Sequence, residues 1–174
     1  MLTLASDSIH HLQAMIDKIN ERIKDIDVKL TRCNIKPIVE QCVEELVRMV
    51  GRDVIIVRDY QSVPDVRIDP IHMKEVIHNI LINAAESMAY RGGITVCLAE
   101  SKNNVVLQIQ DTGKGIPKDA LSAIFQPFYS TKDRKRNYGL GLYYCKNVLR
   151  KHHGTLHVES VPGYGSTFSI HLRK

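Results

Sequence analysis

The apolar positions of this chain change period several times, and each change marks an element. Over residues 6–28, Ile9, Leu12, Ile16, Ile19, Ile23 and Ile26 recur at spacings of three and four with polar residues between them. That spacing predicts an amphipathic helix with a narrow seam. Such a seam suits a coiled-coil or four-helix-bundle partner, and packing on its own domain is the alternative. Residues 29–35 read as a short strand; Pro37 then opens a helix that runs to Val50 and stops at Gly51. Residues 54–57 read as a buried strand and 66–68 as a second short one. Asp69-Pro70 starts a long helix whose broad apolar face (Met73, Val76, Ile77, Ile80, Leu81, Ala84, Ala85, Met88) runs down to Gly92-Gly93. Period two returns over 94–99 and 105–110, an antiparallel hairpin joined by the polar residues 101–104. A short helical segment over 118–125, a polar loop, a helix over 143–152 and strands over 155–160 and 166–172 complete the chain. This order predicts a layered α/β sandwich in which helices cover one face of a mixed sheet.

Composition narrows the picture. A chain of 174 residues that is 44% hydrophobic can bury one core, with room for an appendage but not for a second full domain. It contains no run of eighteen apolar residues and no basic start followed by an apolar stretch, so neither a membrane span nor a signal peptide is expected. Cys33, Cys42, Cys97 and Cys145 are scattered without metal-ligand spacing, which favours reduced core thiols and a cytoplasmic location. The formal charge of +5 fits nucleic acid, acidic lipid or nucleotide phosphates equally well.

Candidate chemistry lies at three places. The run 111–117, Asp-Thr-Gly-Lys-Gly-Ile-Pro, puts a carboxylate at the end of a strand, directly before two glycines that let a flat or phosphorylated ligand approach the backbone. The carboxylate can accept from an amino group; a hairpin turn with a solvated Asp is the other reading. On the long helix, Asn79 and Asn83 stand four apart and share a face. Asn is a poor interior helix former, so two in register are held either for a hard cation or phosphate-bound water, or for a neighbouring backbone. A polar loop carrying Lys132, Arg134, Lys135 and Arg136 ends in Gly139-Leu140-Gly141-Leu142, which opens the next helix. Free amides and the positive dipole end there suit phosphate; a solvated mobile loop is the other reading. His10 and His11 read as solvated surface residues, since neither is followed by an acidic residue and Asn-x-x-Pro.

The stretches HNILINAAESM, DTGKGIP, IFQPFYSTK, NYGLGLYYCKNVLRKHHG and GYGSTF resemble, in order and spacing, the N, G1, F, G2 and final glycine boxes of sensor histidine kinases. These kinases belong to the Bergerat-type (GHKL) ATPase superfamily shared with gyrase, Hsp90 and the MutL proteins. The wording of the first and third stretches is similar to nitrogen-regulation and sporulation kinases. The resemblance implies a Bergerat ATP-binding fold: a two-layer α+β sandwich whose mixed, mostly antiparallel sheet is covered on one face by helices, with an N-terminal helix. It divides the chain into residues 1–28, the second helix of a dimerisation and phosphotransfer hairpin, and residues 29–174, the ATP-binding kinase domain.

Site roles follow from the resemblance alone. Asp111 receives the adenine amino group, Gly113 and Gly115 shape the purine pocket, and Ile116 adds to its wall. Asn83 is the Mg2+ ligand. Asn79 contacts phosphate or the metal's water, at a place where ATP-hydrolysing relatives carry a general-base Glu; an amide cannot act as a base, so slow hydrolysis is implied. Lys132 and the basic lid meet the phosphates, Gly139, Leu140, Gly141 and Leu142 cap them, and Thr167 sits near the adenine.

Three departures stand out. Asn137 and Tyr138 replace the usual Gly-Thr before the Gly-Leu-Gly-Leu run, Glu86 stands where some relatives carry a basic residue, and no phosphoacceptor motif is present. The implied function is transfer of the ATP γ-phosphate to a histidine on a hairpin outside this chain, for relay to a response regulator in two-component signal transduction. This chain alone is not expected to phosphorylate itself. A non-catalytic nucleotide-gated interaction module and an anti-sigma-like Ser/Thr kinase are the alternatives. ATP and Mg2+ are the expected cofactors, no nucleic-acid partner is implied, and a monomer or weak homodimer is expected. The full-length protein could still be membrane-anchored.

Overall fold

The computed structural model describes residues 16, 21–130 and 139–174. Most of the predicted N-terminal helix, with His10 and His11, therefore lies outside the described residues; residues 21–24 are helical and Ile26 packs against the core. Beyond it come β1 (Thr31–Cys33), α1 (Lys36–Val50), β2 (Val54–Tyr60), β3 (Val66–Ile68), α2 (Pro70–Ser87), β4 (Gly92–Glu100), β5 (Asn104–Asp111), α3 (Gly141–Lys151), β6 (Thr155–Val161) and β7 (Gly165–Arg173).

The main sheet runs in the order β2-β4-β5-β7-β6; β2 and β4 are parallel and every other pairing is antiparallel. β1 and β3 form a separate antiparallel pair, so only three of the seven residues expected as the first strand are extended. Alternation along the strands sends Ile94, Val96, Leu98, Val105, Leu107, Ile109, Phe168, Ile170 and Leu172 to one face, where all are buried. The helices cover that face with Val39, Cys42, Val43 and Leu46 from α1, Met73, Val76, Ile77, Ile80 and Leu81 from α2, and Cys145, Val148 and Leu149 from α3. The result is a layered sandwich with helices on one face of a mixed sheet, as the pattern predicted, in the two-layer α+β form that the resemblance implied.

α2 begins where it does because Asp69 caps it. The Asp69 Oδ1 accepts from the amides of Ile71 at 3.0 Å and His72 at 3.3 Å, and Pro70 occupies the first turn, where no amide is needed. Asp69 Oδ2 takes the Lys29 amide at 2.8 Å. Burial opposes its charge, but the amides of Lys29, His72 and Ile71 outweigh it and hold the carboxyl below its ordinary value. The Asp69 amide in turn donates to Nε2 of buried His152, just past α3, whose Nδ1 faces the Val148 carbonyl at 2.8 Å; both bonds are 2.8 Å long. With Nε2 accepting, the proton is on Nδ1 and the ring is neutral, in keeping with burial, which pushes its pKa down.

Two boundaries differ from expectation. The chain reverses after α2 through Ala89 and Tyr90, both at positive φ, and Gly92-Gly93 already belongs to β4. Residues 118–125 form two separate single 3-10 turns, Lys118–Ala120 and Ala123–Phe125. All four cysteines are unpaired, and burial pushes the Cys42 thiol up to about 11. No helix among the described residues is long and apolar enough to cross a membrane.

Candidate functional site

β5 ends by pointing a carboxylate where its other inward positions point apolar groups. Val105, Leu107, Ile109 and Asp111 share a face, and Asp111 is only 2% exposed. Its Oδ1 accepts the Ser87 hydroxyl and the Gly113 amide, each at 2.8 Å. Burial pushes the Asp111 carboxyl above its ordinary value, against the opposing pull of the Gly113 amide, the Ser87 hydroxyl and the Ser166 amide. Asp111 is thus a fixed acceptor on the wall of a cavity of about 720 Å³.

The two glycines after it are required by close approach. A Cβ at Gly113 would overlap the Ser87 hydroxyl, and one at Gly115, where φ is +68°, would overlap the Val161 carbonyl. The loop is tied down by the β6–β7 hairpin: the Ile116 amide donates to Ser160 Oγ at 2.7 Å, Ser160 donates to the Gly165 carbonyl at 2.9 Å, and the Gly163 amide donates to the Lys114 carbonyl at 2.8 Å.

α2 supplies a second wall. Asn79, Asn83 and Ser87 follow one another at one-turn intervals and line the cavity, with Ile82 and Glu86 beside them. The Asn79 amide donates to Glu75 Oε1, one turn earlier, at 3.4 Å. At the far end the cavity meets Gly139, Leu140, Gly141 and Leu142, of which Gly141 starts α3. A Cβ at Gly141 would lie 3.2 Å from Asn79 Oδ1, so the first-turn amides of α3, which have no partner within their helix, and the side-chain amides of Asn79 and Asn83 bound the same end of the cavity. Ile82, Ile116, Ile124, Leu142 and Phe168 make the intervening walls apolar. The arrangement offers a slot for a flat ring, an acceptor at one end and a neutral, amide-rich seat for anions at the other.

Asn79, Asn83, Asp111, Gly115, Ile116, Gly139, Leu140, Gly141 and Leu142 all line this one cavity, and Gly113 is buried against Ser87 and Asp111. Thr167 does not join them. In the β5–β7 register Asp111 pairs with Ser166, so Ser166 shares the inward face and lines the cavity, while Thr167 pairs with Gln110 on the open face. Lys132, Asn137 and Tyr138 lie outside the described residues. Ser87, Ser160, Ser166 and Lys114 are cavity or loop-holding residues that the sequence reading missed. Of these, Ser87 carried a readable signal, since it continues the spacing of four from Asn79 and Asn83. Among the described residues no cluster of three or more His, Cys, Asp or Glu could hold a metal ion; Asn79 and Asn83 bring side-chain amide oxygens to the cavity lining.

Comparison with known proteins places this geometry. The family described as "Histidine kinase-, DNA gyrase B-, and HSP90-like ATPase" matches residues 68–174. The sensor histidine kinase ZraS of Escherichia coli (strain K12) is 38% identical over 111 residues, covering 64% of this chain and 23% of that protein. Sporulation kinase C of Bacillus subtilis (strain 168) is 38% identical over 104 residues, covering 60% of this chain and 24% of that protein. The chain therefore matches about a quarter of the length of these curated relatives. Among solved structures, the mycobacterial sensor histidine kinase MprB superposes with a TM-score of 0.73 at 24% identity, covering 84% of this chain and 97% of that one. Full-length ShkA in complex with AMPPNP superposes with a TM-score of 0.75 at 22% identity, covering 99% of this chain and 38% of that one. At these identities both comparisons speak to the fold.

Proposed function

Because the chain belongs to the histidine kinase-, DNA gyrase B- and HSP90-like ATPase family, we propose that it is the ATP-binding catalytic domain of a sensor histidine kinase and presents the γ-phosphate to a histidine on a dimerisation hairpin. One observation carries this reading: buried Asp111 and the α2 amides line the same cavity, whose other end is the start of α3. Asp111 accepts from the adenine amino group, with Gly115 and Ile116 against the ring, and Ser166 takes the place expected of Thr167. Asn79 and the amides of Gly139 to Leu142 hold the phosphates.

The residues present also fit Mg2+. A hard ion that keeps several waters and is held mainly through substrate phosphates needs few protein ligands, and Asn83 offers a neutral amide oxygen beside the phosphate seat. Held there by Asn83 and the phosphates, Mg2+ would neutralise charge on the phosphate chain. The chain's own contribution is positioning: the reacting phosphate is held at the mouth, beside α3, where a hairpin histidine can reach it in line. Asn79 offers no base to activate water, which favours transfer over hydrolysis.

Residues 1–28 then belong to the hairpin and 29–174 to the kinase domain, and the downstream partner is a response regulator. The test is titration of the chain with ATP and Mg2+, followed by incubation with labelled ATP with and without an added hairpin bearing the phosphoacceptor. Binding without self-labelling, with acid-labile phosphate appearing only on the hairpin, is the expected result. No ATP binding, or labelling on His10 or His11, would sink the proposal.

A further inference from the structure

Ser87 stands between the two halves of the site. Its Oγ lies 2.8 Å from Asp111 Oδ1 and 2.8 Å from the Ala84 carbonyl, and a hydroxyl has one proton to give. Towards an ionised carboxylate the bond is charge-assisted and wins over the carbonyl; towards a protonated carboxyl that advantage is gone. The surroundings are built for the first arrangement. Gly113 carries no side chain where Ser87 Oγ sits, and its amide reaches the same carboxylate oxygen at 2.8 Å.

We propose that Ser87 is the specificity-determining residue for the purine: its hydroxyl holds Asp111 as an ionised, acceptor-only group that takes a 6-amino substituent and refuses a 6-oxo one. A carboxyl that gained a proton would offer an O–H to an oxo group, and the choice between the two purine classes would weaken. Ser87 acts through Asp111, so it is a positioning residue, and the inference rests on the ATP-binding reading above. The other charged groups lining the cavity among the described residues are Glu86 and Asp119, and Lys114 in the Asp111 loop. They are common to wild type and variants, and their influence cancels in a comparison.

The experiment measures affinity for ATP and for inosine triphosphate between pH 5 and pH 8, in wild type, Ser87→Ala and Ser87→Thr, with thermal melting as the folding control. Wild type should prefer ATP throughout. Ser87→Ala should lose more ATP affinity as the pH falls, approaching roughly tenfold on the acid limb, because the bond is present with and without nucleotide and acts only through the ionisation of Asp111. Its ATP affinity should fall off at a pH about one unit higher than in wild type, the shift that corresponds to a change of that size. Its preference for ATP over inosine triphosphate should shrink as the pH falls. Ser87→Thr, which keeps the hydroxyl, should restore the wild-type profile. If Ser87→Ala fails to fold, Ser87→Cys, with its weaker donor, is read by the same criteria. A folded variant whose acid midpoint and ATP preference match wild type overturns the inference while leaving ATP binding intact; a wild type that binds neither nucleotide overturns the reading beneath it.

Discussion

Asp111→Asn separates the cost of building the site from the use made of it. The carboxylate is 2% exposed, and burial is the largest influence on it, pushing its pKa up. For an acid with a raised folded pKa, the unfolded chain binds fewer protons between the two values, so keeping the charge costs stability at every pH above the folded pKa. Asn removes that cost. Both the Ser87 and the Gly113 bonds go to Oδ1, which an amide oxygen can replace. The Ser166 amide, which also bonds the carboxylate, loses at least the charge assistance. Stability at pH 7 should therefore stay within about 1 kcal/mol of wild type or rise. Binding should move the other way. A hydrogen bond to a charged acceptor is worth about 1.5–3 kcal/mol, and the amide NH2 can meet the purine amino group donor to donor. The expected loss in ATP affinity is roughly 10- to 150-fold. Calorimetric titration and denaturant melts on the same preparations supply both numbers. An ATP affinity within twofold of wild type would refute the role of Asp111, and a variant that unfolds would show the carboxylate to be structural.

Other changes test other parts of the frame. Asn83→Ala should weaken binding of ATP with Mg2+ far more than binding in EDTA, because only the first uses the amide oxygen as a ligand; equal losses would make Asn83 structural. Gly115→Ala forces a side chain into φ +68° and into the Val161 carbonyl, so it should destabilise by about 1–2 kcal/mol or more and lower the melting point by several degrees. The third concerns His152. Burial lowers its pKa, so the unfolded state binds the extra proton first; its contribution is complete above about 6.5 and is lost as the pH falls from there towards the folded value. The groups around it are Asp69, which favours the charged ring, and His72, which opposes it. His152→Ala should cost about 1–3 kcal/mol by orphaning the Asp69 amide and should flatten the acid limb of the stability curve measured by urea melts; an unchanged limb would count against this assignment.

What could be read in the sequence was whatever is local. The spacing of Asn79 and Asn83, the capping by Asp69-Pro70 and the alternation that ends at Asp111 are each set by neighbours in the chain, and each stands in the structure as read. What failed depended on contacts between distant segments. Thr167 and Ser166 differ only in parity along β7, and which of them joins Asp111 is decided by pairing across the sheet. Gly92-Gly93 was read as the limit of the long helix, but Gly92 lies in β4 and a Cβ there would meet Thr112 Oγ1 at 2.7 Å and Met88 Sδ at 2.9 Å; the reversal itself falls on Ala89 and Tyr90, two residues with no turn signature. The first strand was overcalled for a similar reason, since only Thr31–Cys33 finds a partner, in β3.

The length of α2 sets the length of the site. Its cap holds His152, past the end of α3, and ten residues later Asn79 meets Gly141, the start of α3. Ten residues of helix are about 15 Å, and the eleven from Gly141 to His152 are about 16 Å. The two helices therefore run antiparallel over matched spans, and the His152 tie decides that the amides opening α3 arrive opposite Asn79 and no other turn. A slip of one residue would move them by about 1.5 Å and turn the side chains by roughly 100°. From Asn79 the same helix continues eight residues to Ser87 and, through it, to Asp111, about 12 Å further on. An acceptor for an amino group and a seat for anions, held that far apart by one rigid rod, match a nucleoside with its phosphate chain extended; a bare base or a free phosphate could satisfy only one end. That fixed distance, set by packing remote from any ligand, is the geometric basis of the proposed preference for a whole nucleotide.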